Sequence, residues 1–229
     1  MGPVARNVAG RCGGWKQRSD LAFRQRWLGL RHGAVIDLSG VAMAVPLPPW
    51  RPLIRAAQQR EGRSPAARWL QLATVALDGT PRVRTLVFRG WGGPDQLDLL
   101  TDARSAKAPE LERQPAMEIC WLMPKAKQQF RLRGFWQPAA QKVEAERQRH
   151  WQQLSPAGRA LWAWPAPGRP RQPSDQFVEE LSAETEIPEH FQLLRLQIER
   201  GEQLDLGQHP HLRRSWQRQE QWRELRLRP

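Results

Sequence analysis

Two short stretches carry residue types that could bind an anion. In Arg82-Val83-Arg84-Thr85-Leu86-Val87-Phe88-Arg89, alternate positions of an extended strand share one face. Arg82 and Arg84 therefore project together, opposite Arg89. One face of a small barrel is its core, so at least one of these arginines lies near a buried or cleft-like region. A guanidinium there needs an anionic partner. Downstream, Leu100-Thr101-Asp102-Ala103-Arg104-Ser105-Ala106-Lys107 reads as a strand end, a turn and a helix start. Free backbone N–H groups at such a start favour an anion. Thr101 and Ser105 add hydroxyls, Lys107 adds a point charge, and with Arg84 they compose a phosphate cradle. The competing reading is an ordinary helix cap with solvated charges, and residue chemistry alone leaves both open.

Other chemistries find less support. Cys12 and Cys120 are the only cysteines and lie far apart in the chain, which fits a reducing cytoplasm. His209-Pro210-His211 has no second cluster of ligand residues beside it, so no metal is expected. Neither a GxSxG turn nor a capped nucleophile is present. Gly90-Trp91-Gly92-Gly93 lacks dinucleotide-loop spacing and reads as a hairpin turn. The chain has twelve tryptophans and no tyrosine, which removes any tyrosine general acid. Trp69 and Trp121 read as core. Trp162 and Trp164, in a proline-rich loop, are candidates to stack on a ligand. The formal charge is +13, but it comes mostly from arginines spread along the chain without a block of like charge. That argues against a nucleic-acid partner and suits a small phosphorylated molecule. No apolar run approaches the roughly 18–20 residues of a membrane-spanning helix.

The elements that must position these residues follow from apolar period and turn residues. Apolar residues make up 40% and charged residues 26% of the chain, the balance of a soluble globular domain. Trp50 to Arg60 reads as a helix. The period then becomes two, from Trp69 to Val75, across Asp78-Gly79 as a hairpin turn, and back through Val83 to Phe88. Further strands are expected around Leu97–Leu100, Met117–Met123, Phe130–Trp136, Phe191–Ile198, Arg213–Gln217 and Trp222–Leu227. Ser105 is expected to cap a short helix ending at Arg113. Helices are also expected over Lys142–Leu154, after Ser155-Pro156, and from Ser174 to Leu181. The result is an α+β domain whose antiparallel meander closes as a barrel. Residues 1–42 hold seven basic and two acidic residues without an apolar period. They read as a disordered leader or a start-site artefact with Met43 as initiator, leaving 43–229 as one domain.

The order Arg84-x-x-x-x-Arg89, Leu100-Thr101, Ser105-x-Lys107, then Gln129 leading into Phe130-x-x-x-Gly134, resembles the pyridoxamine 5'-phosphate oxidase-like FMN-binding split barrels. Arg213-Arg214-Ser215-Trp216-Gln217-Arg218 and Trp222 to Pro229 resemble that family's closing strands. Phe130–Gly134 and Trp162–Gly168 look more like an uncharacterised oxidase-like subfamily than the biosynthetic enzyme. The resemblance implies a six-to-eight-stranded antiparallel split β-barrel with peripheral helices, and a homodimer with flavin mononucleotide (FMN) between protomers. By position, Arg84, Ser105 and Lys107 would hold the flavin phosphate and ribityl side. Thr101 would meet the flavin edge, and Gln129 would bond the ring. Arg213 would reach in from the other protomer. Arg89 would face both flavin and substrate, with His211 a second substrate contact. Two departures stand out. Ala106 replaces a family arginine, and His209-Pro210-His211 keeps a histidine but loses the arginine of an Arg-x-His pair. The implied activity is an FMN-dependent oxidoreductase related to pyridoxamine/pyridoxine 5'-phosphate oxidase. A non-catalytic flavin-binding protein is the alternative, and a basic nucleic-acid-binding barrel a more distant one.

Overall fold

The computed structural model describes residues 46–138 and 143–229; the expectation for residues 1–42 lies outside them. Helix α1, Trp50–Glu61, buries Trp50, Ile54 and Ala57 along one face. A hairpin follows, β1 Trp69–Val75 and β2 Pro81–Val87. Its loop holds Asp78-Gly79, with Gly79 at φ 83°, a backbone region that glycine enters without steric cost. Then come β3 Gly90–Gly93, β4 Gln96–Asp102, helix α2 Lys107–Arg113, β5 Ala116–Met123 and β6 Gln128–Gln137. Helices α3 Val143–Gln152 and α4 Pro156–Ala160 precede the long β7, Phe191–Asp205, and the closing strands β8 Leu212–Gln217 and β9 Leu225–Leu227.

All ladders are antiparallel, in the order β2-β1-β5-β6-β7-β4-β3, with β8 on β7 and β9 on β8. The sheet bends around a core without closing, which is the split-barrel fold. Directly paired residues share a face, so rows can be followed across it. One inward row runs Leu72, Ile119, Leu132, Gly201, Trp216, all in the interior. Gly201 is needed in that row. A Cβ there would lie 2.7 Å from the ring of Trp50, which α1 lays over the sheet.

Strand β4 is buried on both sides. Leu97 and Leu99 enter the main core. Leu100 joins Trp151, Leu154, Phe191 and Leu193 in a second cluster beneath α3. Asp98 is fully buried on that second side. The Arg195 guanidinium grips it through two bonds of 2.8 Å, and His150 Nε2 lies 3.5 Å away. Arg195 also pairs with Glu146 on α3. Burial pushes the Asp98 carboxyl up, but the bonds and charges of Arg195 and His150 outweigh it and hold it below its ordinary value.

The nine strands among the described residues exceed the expected six to eight because Gly90–Gly93 is an edge strand on β4 rather than only a turn. Ser174 caps no helix. The segment is irregular, and Phe177 stacks edge-to-face on Trp164 at 5.3 Å. Trp121 is core as expected, whereas Trp69 is 53% exposed on the outward side of β1. Ser155 caps α4 as expected, its hydroxyl accepting from Gly158 N at 3.1 Å.

Candidate functional site

Arg84 pairs with Leu72 across the β1–β2 ladder, so it extends an inward-facing row out to the sheet's edge. Its guanidinium is thereby half-buried at the barrel rim. Nη2 donates to Glu110 Oε2 at 2.7 Å, and Nη1 donates to Thr74 Oγ1. At the same rim, β4 ends and the chain turns through 102–106 into α2. Ser105 Oγ donates to Asp102 O at 2.6 Å and accepts from Lys107 Nζ at 2.8 Å. Asp102 itself is occupied by Arg104, at 2.7 Å. Burial, and then the nearby charge of Arg84, push the Lys107 ammonium below its ordinary value, while Asp102 and Glu110 oppose the shift. Two cations close enough to repel, with a hydroxyl between strand end and helix, fit a phosphate oxyanion.

The expected cap by Ser105 is corrected. The residue before α2 is Ala106, which offers no side-chain cap bond. The hydroxyl of Ser105 instead orients Lys107. Thr101 is buried on the core face of β4, with a long contact of 3.4 Å to Asp102 O. Glu110 and Thr74 were not singled out from sequence. They are 36 residues apart and joined by a 2.5 Å bond from Thr74 Oγ1 to Glu110 Oε2.

Gln129 and Arg213 lie elsewhere. They flank Leu204 in one outward row across β6, β7 and β8. With Arg131, Glu202 and Gln203 they line a hollow of about 130 Å³. Glu202 there meets Arg200 at 2.7 Å and Arg213 at 3.0 Å. Burial raises its carboxyl, yet the bond from Arg213 and the surrounding arginines bring it below its ordinary value. Among the described residues, no hydrogen bond or ion pair joins this group to the Arg84–Lys107 group. One faces the barrel interior at the rim and the other faces outward.

A second cleft, of about 310 Å³, is lined by Arg68, Phe88, Arg89, His150, Gln153 and Leu154. Neither Arg68 nor Arg89 has an ion-pair partner among the described residues. Burial and the like charge of Arg68 lower the Arg89 guanidinium from its ordinary value. His211 does not line this cleft. It is exposed just before β8, and its Nδ1 lies 3.0 Å from Gln208 O. Trp162 packs on Phe191 at 4.7 Å. The half-buried Trp164 donates from Nε1 to Val178 O at 2.9 Å.

An antiparallel barrel left open, with Arg84 and Lys107 on its rim, defines a split barrel. A family model described as "Pyridoxamine 5'-phosphate oxidase, FMN-binding domain" matches residues 47–139. The pyridoxine/pyridoxamine 5'-phosphate oxidase 2 of Arabidopsis thaliana is 32% identical over 173 residues, covering 72% of this chain and 86% of that protein. The pyridoxine/pyridoxamine 5'-phosphate oxidase of Pseudomonas paraeruginosa is 32% identical over 58% of this chain, which spans 64% of its length. A solved pyridoxamine 5'-phosphate oxidase-related, FMN binding protein from Nostoc punctiforme is 36% identical, with a TM-score of 0.73 over 80% of this chain and 100% of that one. PhzG from Burkholderia lata, at 20% identity and a TM-score of 0.62 over 79% and 90%, shares the fold. The chain therefore belongs to the pyridoxamine 5'-phosphate oxidase family, and FMN is the cofactor of the domain that defines it.

Proposed function

We propose that this protein is an FMN-dependent oxidoreductase that works as a homodimer in the cytoplasm. The observation that carries the reading is the meeting of Arg84, Ser105 and Lys107 at one rim of the barrel. Arg84 and Lys107 would bind the flavin phosphate, with Ser105 holding the ammonium in place. Thr101 would back the flavin edge. Gln129 and Arg213 would bond the ring of the partner's flavin, because they face away from their own cradle. FMN, when bound, supplies hydride acceptance from a substrate and return of the electrons to oxygen or another acceptor.

The cleft beside Arg89 supports an anionic substrate. Arg68 and Arg89 present two uncommitted cations, and Phe88 offers a ring to a flat molecule. His211 would complete the substrate site only from a second protomer. Pyridoxamine and pyridoxine 5'-phosphate are the substrates suggested by the relatives' names. The His209-Pro210-His211 sequence, with no arginine two residues before His211, makes the vitamer selectivity the open variable. The test is direct. Purified protein should bind FMN with a yellow absorption spectrum, and the loaded protein should oxidise pyridoxamine 5'-phosphate or another small aromatic anion with peroxide formation. A protein that binds FMN without oxidising any such compound is a non-catalytic flavin carrier. A colourless protein that takes up no FMN overturns the proposal.

A further inference from the structure

Glu110 is a buried carboxylate in the cradle for which phosphate binding itself has no use. Its side chain is 4% exposed, and it stands on α2 with a single oxygen, Oε2, accepting from both Thr74 Oγ1 and Arg84 Nη2. Thr74 in turn accepts from Arg84 Nη1. Two nitrogens of one guanidinium are thus fixed by a triangle spanning β1, β2 and α2. We propose that Glu110 is a positioning residue, which sets the orientation of Arg84 and through it the preference for a phosphorylated over an unphosphorylated flavin. This rests on the cradle reading above.

An arginine side chain has large rotamer freedom, and a guanidinium oriented before its ligand arrives loses less on binding. Glu110 supplies that orientation. Asp102 is occupied by Arg104, which leaves Glu110 as the carboxylate in contact with Arg84. A carboxylate this close would also repel a phosphate. Orientation and repulsion therefore make opposite forecasts for its removal, and this separates them.

The experiment titrates apoprotein with FMN and with riboflavin, follows quenching of flavin fluorescence, and takes the ratio of the two dissociation constants as the preference. Glu110→Ala should lower that preference about tenfold through weaker FMN binding, with riboflavin affinity little changed, as expected for one lost charge-assisted bond. Glu110→Gln, whose amide oxygen can take the place of Oε2 and accept from both Arg84 and Thr74, should restore most of it. Should Glu110→Ala fail to fold, Thr74→Val, which removes the other bond to Arg84, should lower the preference likewise. Equal weakening of both ligands, tighter FMN binding in Glu110→Ala, or equal losses in the Ala and Gln variants would overturn the orienting role. Arg84→Ala separates the two levels. If it leaves the preference unchanged, the cradle reading fails. If it lowers the preference while Glu110→Ala does not, only the role of Glu110 fails.

Discussion

Lys107 shows how local sequence and long-range packing divide the making of the proposed binding site. Arg84, Ser105 and Lys107 could be picked out because residue type and spacing within a strand and a turn are local properties. The hold of Glu110 and Thr74 on Arg84 could not, because that contact depends on α2 folding over β1. A half-buried ammonium near another cation would be relieved by the phosphate of the proposed cradle. Lys107→Met should therefore raise the FMN dissociation constant roughly tenfold to a hundredfold, the equivalent of about 1.5–3 kcal/mol, as read by fluorescence titration. Asp98 carries the residue-scale prediction for stability. Its carboxyl lies below its ordinary value, with burial opposed and outweighed by Arg195 and His150. The stabilisation is then full above the ordinary carboxylate range and lost as pH falls through the lowered value. Asp98→Asn leaves Arg195 without its buried partner. It should lower stability by about 3 kcal/mol near neutral pH and flatten that acid limb, measured by denaturant unfolding across pH. An unchanged midpoint at neutral pH would refute this.

At the scale of elements, the period-two segments with strong turn residues were legible, and the glycine-rich and polar ones were not. Gly90–Gly93 carries little side-chain pattern, and its strand character comes from backbone pairing with β4. Strand β7 runs on past Ile198 through Glu199-Arg200-Gly201-Glu202. That stretch reads as polar, but its charges sit among arginines on the outward side while Gly201 passes under Trp50. The segment from Ser174 follows its tertiary bonds, such as Leu181 N to Pro156 O at 3.0 Å, rather than its cap signal. Gly134 is the element-scale test. It sits where the β6–β7 register shifts, and a Cβ there would lie 1.8 Å from the backbone oxygen of Gln197. Backbone cannot yield as a flexible side chain can. Gly134→Ala should therefore destabilise the domain by several kcal/mol, on the order of the largest single-residue effects, or prevent soluble expression. Wild-type thermal stability in that variant would contradict the close approach.

For the whole molecule, the two halves of the proposed flavin site point in opposite directions. The Arg84–Lys107 cradle opens at the rim on the inward side of the sheet, whereas Gln129 and Arg213 lie in an outward row. A flavin held by both would have to bridge two copies of the chain. The outward side is equipped for such contact. Trp69, Val83 and Leu122 stand exposed on β1, β2 and β5, beside the charged rows of β6 and β7, and large apolar side chains on one sheet face would suit the proposed contact. Trp69 reads as core by residue type, but its parity, opposite to buried Leu70 and Leu72, puts it on the outward face. Leu122 is directly paired with Gln129, so a charge introduced there lies within the proposed interface while its own fold contacts are few. Leu122→Glu should shift the protein from dimer to monomer in light scattering, and weaken FMN binding at least tenfold by removing the partner's ring contacts. The melting temperature of the apoprotein at monomeric dilution should be little changed, since the side chain is already exposed. A variant that stays dimeric and binds FMN as the parent does would place the flavin within one protomer, and Gln129 and Arg213 outside its site.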